Sequence, residues 1–290
     1  MSASIPAAGQ DAYRQLGVAP LELPAVRGGI AERVRERWGR LIVVAVEAAI
    51  FLALWEWLTI GSGLVNPVFL PPPSRVFTTL IELFTSGTIW PELQFSATTW
   101  TTGFGLAALV GVTLGLLMGA FEPVGRLLGP LAWSLYATPH ISIRPMLVIW
   151  FGFGAAPIIA LVFVSAIFPI LLTTAAGVRT VDPVLLRAGE VFGGRWVDIQ
   201  RKIVLPSTLP FVVTGLRLAI PTSLIGMLVG EILGSGQGIG AILALGTATF
   251  RVDQAISAIV ILVATSLTLL RLFGALEHRL APWRHGETRE

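Results

Sequence analysis

The chain has 290 residues, 54 % of them hydrophobic and only 13 % charged, with no cysteine and a formal net charge of +3. A mean hydropathy of +0.80 excludes a water-soluble domain, whose charged fraction is about 25 %, and the lack of cysteine excludes disulfide and thiolate chemistry. The pI of about 10.1 calls for no nucleic acid, because arginine beside a membrane sets topology and meets anionic headgroups.

Residues 1 to about 26 are rich in Ala, Pro and small polar residues and are expected as a mobile cytoplasmic tail. Gly28 to Arg40 reads as a basic helix with Ile30, Val34 and Trp38 four apart, either lying on the inner membrane surface or extending the first span. No cleavable signal sequence is visible before Leu41. A membrane span needs roughly 20 apolar residues. Six windows meet that length, at about 41–61, 96–119, 127–150, 157–178, 211–232 and 255–276. The third is interrupted by Pro130, Pro139 and Pro145 and contains His140 and Arg144, so it is expected as a broken helix that still crosses. The expected fold class is an all-α integral membrane protein of about six transmembrane helices. A tail and basic helix over 1–40 precede a membrane domain over 41–277, and a short tail follows over 278–290.

Cations set the orientation. In a six-span arrangement the arginines of the amino-terminal segment, of 179–202 and of the carboxyl-terminal tail share one face, and only Arg75 and Arg251 fall on the other. The positive-inside rule then puts both termini and the 179–210 loop in the cytoplasm.

Between the first two spans, Asn66 to Val76 holds three consecutive prolines, which predict an extended loop rather than a helix. In the second span Gly103, Ala107, Gly111, Gly115 and Gly119 recur at every fourth position. Such a smooth stripe lets another backbone approach closely, either within the chain or at a seam between two copies. Arg144 sits between Pro139 and Pro145 in the broken span. A buried arginine there attracts sulfonate, nitrate, bicarbonate or carboxylate groups, and the alternative is a side chain snorkelling to headgroups. His140, Arg144 and Glu231 are the candidate lining of a solute path.

The loop over 179–210 is charged and glycine-broken. Asp182 before Pro183 makes a helix start, an N-cap oxygen next to a residue whose missing N–H costs nothing in the first turn. A short helix then runs to Phe192, Gly193 and Gly194 end it by allowing positive φ, and Arg195 to Ile203 form a second helix, giving a helix-turn-helix elbow. No G-x-x-x-x-G-K-[ST] phosphate loop is present, and the one lysine, Lys202, has no glycine before it. His140, His278 and His285 are too far apart in sequence to suggest a metal site. Glu47, Glu56 and Glu231 fall in or at the ends of spans and keep a proton-coupled secondary carrier open as an alternative. A membrane scaffold without transport is a third.

Gly193, nine intervening residues, and then Ile203, Leu205 and Pro206 form a G-x9-I-x-L-P pattern. Leu209, Pro210, Gly215, Leu216, Arg217, Ala219, Glu231 and the run GSGQGIG over 234–240 follow it in order. In these residues the chain resembles the permeases of binding-protein-dependent ABC importers, in particular the nitrate, sulfonate and taurine branch, over about 95–276. The G-x9-I-x-L-P pattern is the core of that family's "EAA" cytoplasmic loop. Where the family often has Glu-Ala-Ala, this chain has Arg187, Ala188 and Gly189, with an acid displaced to Glu190.

The resemblance implies a type I importer fold with a coupling helix between the fourth and fifth spans. It implies that Arg187, Ala188, Gly189, Glu190, Val191, Phe192, Gly193, Gly194, Arg195 and Trp196, backed by Ile203, Leu205 and Pro206, form the part that docks on an ATPase. It further implies a second permease copy, two cytoplasmic ATPases that hold the ATP and magnesium, and an external solute-binding protein, in a bacterial plasma membrane. This chain itself would then carry no cofactor and no catalytic site. The solute would be small, of sulfonate, taurine, nitrate or bicarbonate type, and would pass between the two copies.

Overall fold

The computed structural model describes residues 30–63, 65–233 and 236–280. Helix α1 (Ile30–Glu56) runs unbroken from the basic segment into the first apolar window and ends in one widened turn, Trp57–Gly61. The chain divides into two compact units, residues 1–54 and 55–290. In the first unit, Ile42, Val43, Val44, Val46, Ile50 and Phe51 all point outward. A helix apolar on every side suits lipid rather than water.

The second unit is all helix among the described residues. It comprises α2 (Pro73–Thr85), α3 (Ile89–Ala120), α4 (Glu122–Ala137), a 3-10 turn (His140–Ile143), α5 (Arg144–Phe151), α6 (Ala155–Arg179), α7 (Pro183–Val191), α8 (Trp196–Ile199), a π turn (Gln200–Val204), α9 (Leu205–Ile232), α10 (Ile239–Ala248) and α11 (Val252–Leu280). Five stretches are long and apolar enough to cross a membrane: Ile42–Gly61, Ile89–Ala120, Ala155–Arg179, Trp196–Ile232 and Val252–Ala275.

Helix α6 is the centre of the unit. On one side it takes the glycine stripe of α3, which is therefore packing within the chain. An added β-carbon at Gly103 would lie 2.7 Å from the Ile159 carbonyl, at Gly115 2.7 Å from the Leu171 carbonyl, and at Gly119 2.4 Å from Val178. On its other side α6 takes α9, where Gly215 abuts Ile170 and Thr173, Gly226 abuts Leu161 and Ser165, and Gly230 abuts Ile158. Lipid tails are as apolar as the helices, so close van der Waals approach has to supply the association, and small residues permit it.

The order of these contacts gives the directions. Along α3 and α6 residue numbers rise together, so the two helices are parallel, while α9 runs opposite to α6. A parallel α3 and α6 require the segment between them to return over the same length. The window over 127–150 therefore does recross, but in pieces. Helix α4 carries Pro130, a bend follows at Thr138, and α5 begins only at Arg144. Each proline removes an amide donor and clashes with the carbonyl four residues earlier.

Several boundaries differ from the sequence expectation, among them the fifth span, which is continuous from Trp196 to Ile232 rather than starting near 211. Pro73, the last of the three prolines, is the first residue of α2 rather than part of an extended loop, because a proline needs no N–H partner at that position. Glu56 reaches this helix start, accepting from the Ser74 amide at 3.1 Å and from its hydroxyl at 2.7 Å. The second span begins at Ile89, well before 96, with Glu92 inside its first turn. Finally, α10 is a separate helix antiparallel to α11. Its start, Ile239, packs with Ala258 and Ile261, and its Gly246 touches Ala255 near the start of α11.

Replacing Gly115 by Leu forces α3 from α6, and we expect it to cost about 1–3 kcal/mol or more. Gly105→Leu on the same helix, where a β-carbon meets nothing within 4 Å, should stay within about 0.5 kcal/mol of the parent. Thermal melting of the two variants in detergent checks this, and equal melting temperatures would refute the packing argument.

Candidate functional site

Two places concentrate polar and strained groups: the elbow between α6 and α9, and the break between α9 and α10.

At the elbow, Asp182 caps α7 by accepting the Val184 amide at 2.8 Å, with Pro183 in the first turn. The helix ends in a Schellman turn. Gly194 donates to the Gly189 carbonyl at 2.9 Å, Gly193 to the Glu190 carbonyl at 2.9 Å, and Gly193 has φ +73°. Only Gly193 needs the left-handed conformation. Gly194 is held to glycine for a different reason: a β-carbon there would lie 2.7 Å from the Gly189 carbonyl.

Gly189 itself faces Ile203 and Ile199, whose nearest carbons would sit 3.0 and 3.2 Å from an added β-carbon. Beneath the turn Val181, Ile199 and Val204 are buried, with Val178, Leu186 and Ile203 packed against them. The elbow thus has its own small core. Pro206 cannot donate to a carbonyl four residues back, and the widened turn Gln200–Val204 absorbs the mismatch just before it. Leu205 and Pro206 are exposed at the start of α9.

The outer face of the elbow is apolar at its tip. Val191 is 84 % exposed, Phe192 90 % and Trp196 56 %. Arg187, Glu190 and Arg195 are exposed around them, while Ala188 is half-buried. A shallow cleft of about 370 Å³ lies between Phe192, Gly193, Asp198 and Lys202. Large apolar groups exposed together at a rigid turn mark an interaction surface.

At the second place α9 stops at Ile232 and α10 starts at Ile239. Ile239 lies beside Ala258 and Ile261, two to three turns into α11, so this break is set about 10 Å below the end of α11 at a rise of about 1.5 Å per residue. Broken helix ends expose partial charges, positive at the N-terminus and negative at the C-terminus. Each end here meets an opposite charge. Arg144 donates from Nη2 to the carbonyl of Gly230, in the last turn of α9, at 2.9 Å.

The α10 N-terminus meets two carboxylates and a hydroxyl. Gly240 donates to Glu231 Oε2 at 2.8 Å, Ile239 donates to Ser96 Oγ at 2.9 Å, Ser96 donates to Glu231 Oε1 at 2.7 Å, and Gly238 donates to Glu92. Gly238 has φ +97°, and a β-carbon on it would lie 2.3 Å from the Glu231 carboxyl carbon. The GIG of the GSGQGIG run is therefore shaped around Glu231.

The structure brings Arg144 and Glu231 to neighbouring points on α9 and leaves His140 apart, half-buried and stacked on Phe168 with ring centres 5.8 Å apart. Arg144 is only 7 % exposed, so it does not snorkel, and its Nε finds no hydrogen-bond partner. Glu231 is 1 % exposed. Ser96 and Glu92 went unrecognised in the sequence because they act 135 and 146 residues away from their partners. The signal available was a buried-span acid followed at once by glycines.

Gly236 has φ +65° and open space around it, so Gly236→Ala should cost only the left-handed strain of about 1–2 kcal/mol. Gly238→Ala adds displacement of the Glu231 carboxylate and should cost about 1–3 kcal/mol beyond that. Melting temperatures in the order parent, Gly236→Ala, Gly238→Ala are expected, and the reverse order would remove Glu231 from the cap.

The family described as binding-protein-dependent transport system inner membrane component matches residues 111–282. A putative aliphatic sulfonates transport permease of Bacillus subtilis is 29 % identical, covering 88 % of this chain and 94 % of its own. The taurine transport system permease of Escherichia coli is 28 % identical over 89 % of this chain and 96 % of its own. A putative ABC transporter permease of Methanocaldococcus jannaschii is 30 % identical over 88 % and 96 %. Among solved structures, a chain of the MetNI methionine ABC transporter in an inward-facing conformation superposes with a TM-score of 0.57 at 17 % identity, covering 67 % of this chain and 98 % of that one.

Proposed function

Because this chain belongs to the family of inner-membrane components of binding-protein-dependent transport systems, and is thus an integral membrane ABC transporter permease, we propose that it imports a small anionic solute. The solute class is of sulfonate or taurine type, supported by the transport permeases it resembles in Bacillus subtilis and Escherichia coli. ATP hydrolysis falls to a separate cytoplasmic ATPase, with ATP and magnesium held there. An external binding protein delivers the solute. Two copies of the chain pair around the path.

The observation that carries this reading is the elbow. Val191, Phe192 and Trp196 stand exposed on a turn fixed by its own hydrogen bonds and core. They lie in the segment over 179–202, whose arginines the positive-inside rule assigns to the cytoplasm. The residues Arg187 to Trp196, with Ile203, Leu205 and Pro206 behind them, then serve as the coupling piece that an ATPase grips.

Along the path, His140 and Arg144 line the broken third crossing. Arg144 and Glu231 serve it by holding helix ends, since both are buried and engaged with backbone groups in this conformation. A proton-coupled carrier fits less well. Glu56 uses its two oxygens on the start of α2, and Glu231 uses its two on Ser96 and the start of α10.

Gly193→Asp replaces the one elbow residue that needs positive φ and adds an anion at the tip. In vesicles reconstituted with the ATPase it should abolish substrate-stimulated hydrolysis and uptake while the membrane domain keeps its melting temperature. Phe192→Ala should weaken ATPase capture by about 2 kcal/mol or more, as loss of a central aromatic anchor does. Normal uptake and hydrolysis by Gly193→Asp in an intact complex would remove the coupling role from the elbow.

A further inference from the structure

From Trp196 at the elbow to Ile232 the chain is helical for 37 residues without a gap, about 55 Å of helix at about 1.5 Å per residue, with one widened turn at Gln200–Val204. One end is the exposed elbow, and the other is Glu231. Beyond it the covalent link to α10 passes through Gly236 and Gly238, both at positive φ. A glycine linker by itself transmits little displacement.

The tie is made by Gly240 lying against the last turn of α9 and by side chains. Glu231 Oε2 holds the Gly240 amide at 2.8 Å, and Glu231 Oε1 holds Ser96, which in turn holds the Ile239 amide at 2.9 Å. Helix α10 has ten residues and leads into the turn before α11, where Thr247 and Thr249 are exposed. We propose that Glu231 is a positioning residue for transport: its carboxylate makes α9 and α10 move as one body, so a push on the elbow reaches α10 and the turn before α11 at the far end. This rests on the elbow being where the ATPase acts.

A carboxylate suits the task because it offers two acceptors in fixed geometry and carries charge opposite to the helix start. Glutamine keeps one acceptor and turns a donor toward one of the two partners, so it preserves part of the tie. Alanine preserves none. Ser96→Ala removes the bridge from outside α9.

The absence of cysteine makes single reporters clean. With the ATPase-bound complex in vesicles, the maleimide labelling rate of Thr249→Cys is measured with and without a non-hydrolysable ATP analogue, and Val197→Cys reports ATPase contact at the elbow. The expected result is protection at Val197→Cys, a nucleotide-dependent rate at Thr249→Cys, and loss of that dependence when Glu231→Ala is added. Uptake should then fall at least about tenfold, the worth of one charge-assisted hydrogen bond, while ATP hydrolysis continues. Glu231→Gln should fall between.

An unchanged nucleotide response in Glu231→Ala and Ser96→Ala, or no response in the parent despite protection at Val197→Cys, overturns the proposal and leaves the elbow assignment standing. If Glu231→Ala does not assemble, a full response in Glu231→Gln and Ser96→Ala together overturns it. Lack of protection at Val197→Cys overturns the elbow assignment and this proposal with it.

Discussion

Lipid offers backbone groups no hydrogen-bond partner, so every helix end placed inside the bilayer has to be satisfied by the protein itself. The dressing of each break follows from that constraint. Where α9 and α10 part below the end of α11, Arg144 takes an α9 carbonyl, while Glu231, Ser96 and Glu92 take the α10 amides. Where α2 begins, Glu56 takes the Ser74 amide. The elbow break is finished differently, by Asp182 and the turn's own backbone bonds, with glycines and exposed side chains around it. The bonds at the α9–α10 break are buried, whereas the Asp182 cap at the elbow and the Glu56 cap on α2 are exposed.

The same environment explains why α6 is central. With no hydrophobic drive between helices, α3, α6 and α9 are held by backbone-close contact over long lengths, through Gly103, Gly115 and Gly119 on one face and Gly215, Gly226 and Gly230 on the other. A few polar bonds add to this. Trp100 donates to Ser223 at 2.9 Å, and Thr222 donates to the Ser165 carbonyl at 3.1 Å. Contacts of this closeness deform little, so the three helices form a slab that shifts as a unit. The piece joined to it only through breaks is α4 with α5, whereas α10 is tied to α9 through Glu231.

Much of this was legible in the sequence where it depends on local chemistry. The elbow is legible where Asp182–Pro183 and Gly193 give start and stop signals within a few residues, whereas the second helix expected over Arg195–Ile203 runs on through a widened turn into α9. The glycine stripe was legible as a close-packing face, and the helix that fills it was not, since nothing in Gly115 names Thr174. The same limit hid the α10 cap. Glu231 could be noticed as an acid in an apolar run, but its partners come from α3 and from beyond a glycine turn. Helix α10 is not legible because ten residues are too few to cross and its apolar composition resembles any loop at the membrane. Three consecutive prolines signal a break, yet the first position of a helix tolerates Pro73, so the start of α2 is not legible.

The spacing of the G-x9-I-x-L-P pattern has a reason inside the chain. Gly193 closes the Schellman turn, Ile203 lies against Gly189 on α7, and Pro206 forces the widened turn that swings α9 away toward the slab. Moving any one by a residue would put Ile203 off the Gly189 face or bring Pro206 against a regular helical carbonyl. The pattern therefore fixes the shape of the elbow from its buried side. The departure at Arg187, Ala188 and Gly189 fits this division: Gly189 is set by Ile199 and Ile203, whereas the side chains of Arg187 and Glu190 are exposed. Val191 and Phe192 face the other way, while the half-exposed Trp196 ring lies against Phe121. Exchange of those exposed side chains alone can then retune which partner the elbow meets without altering the backbone that presents them.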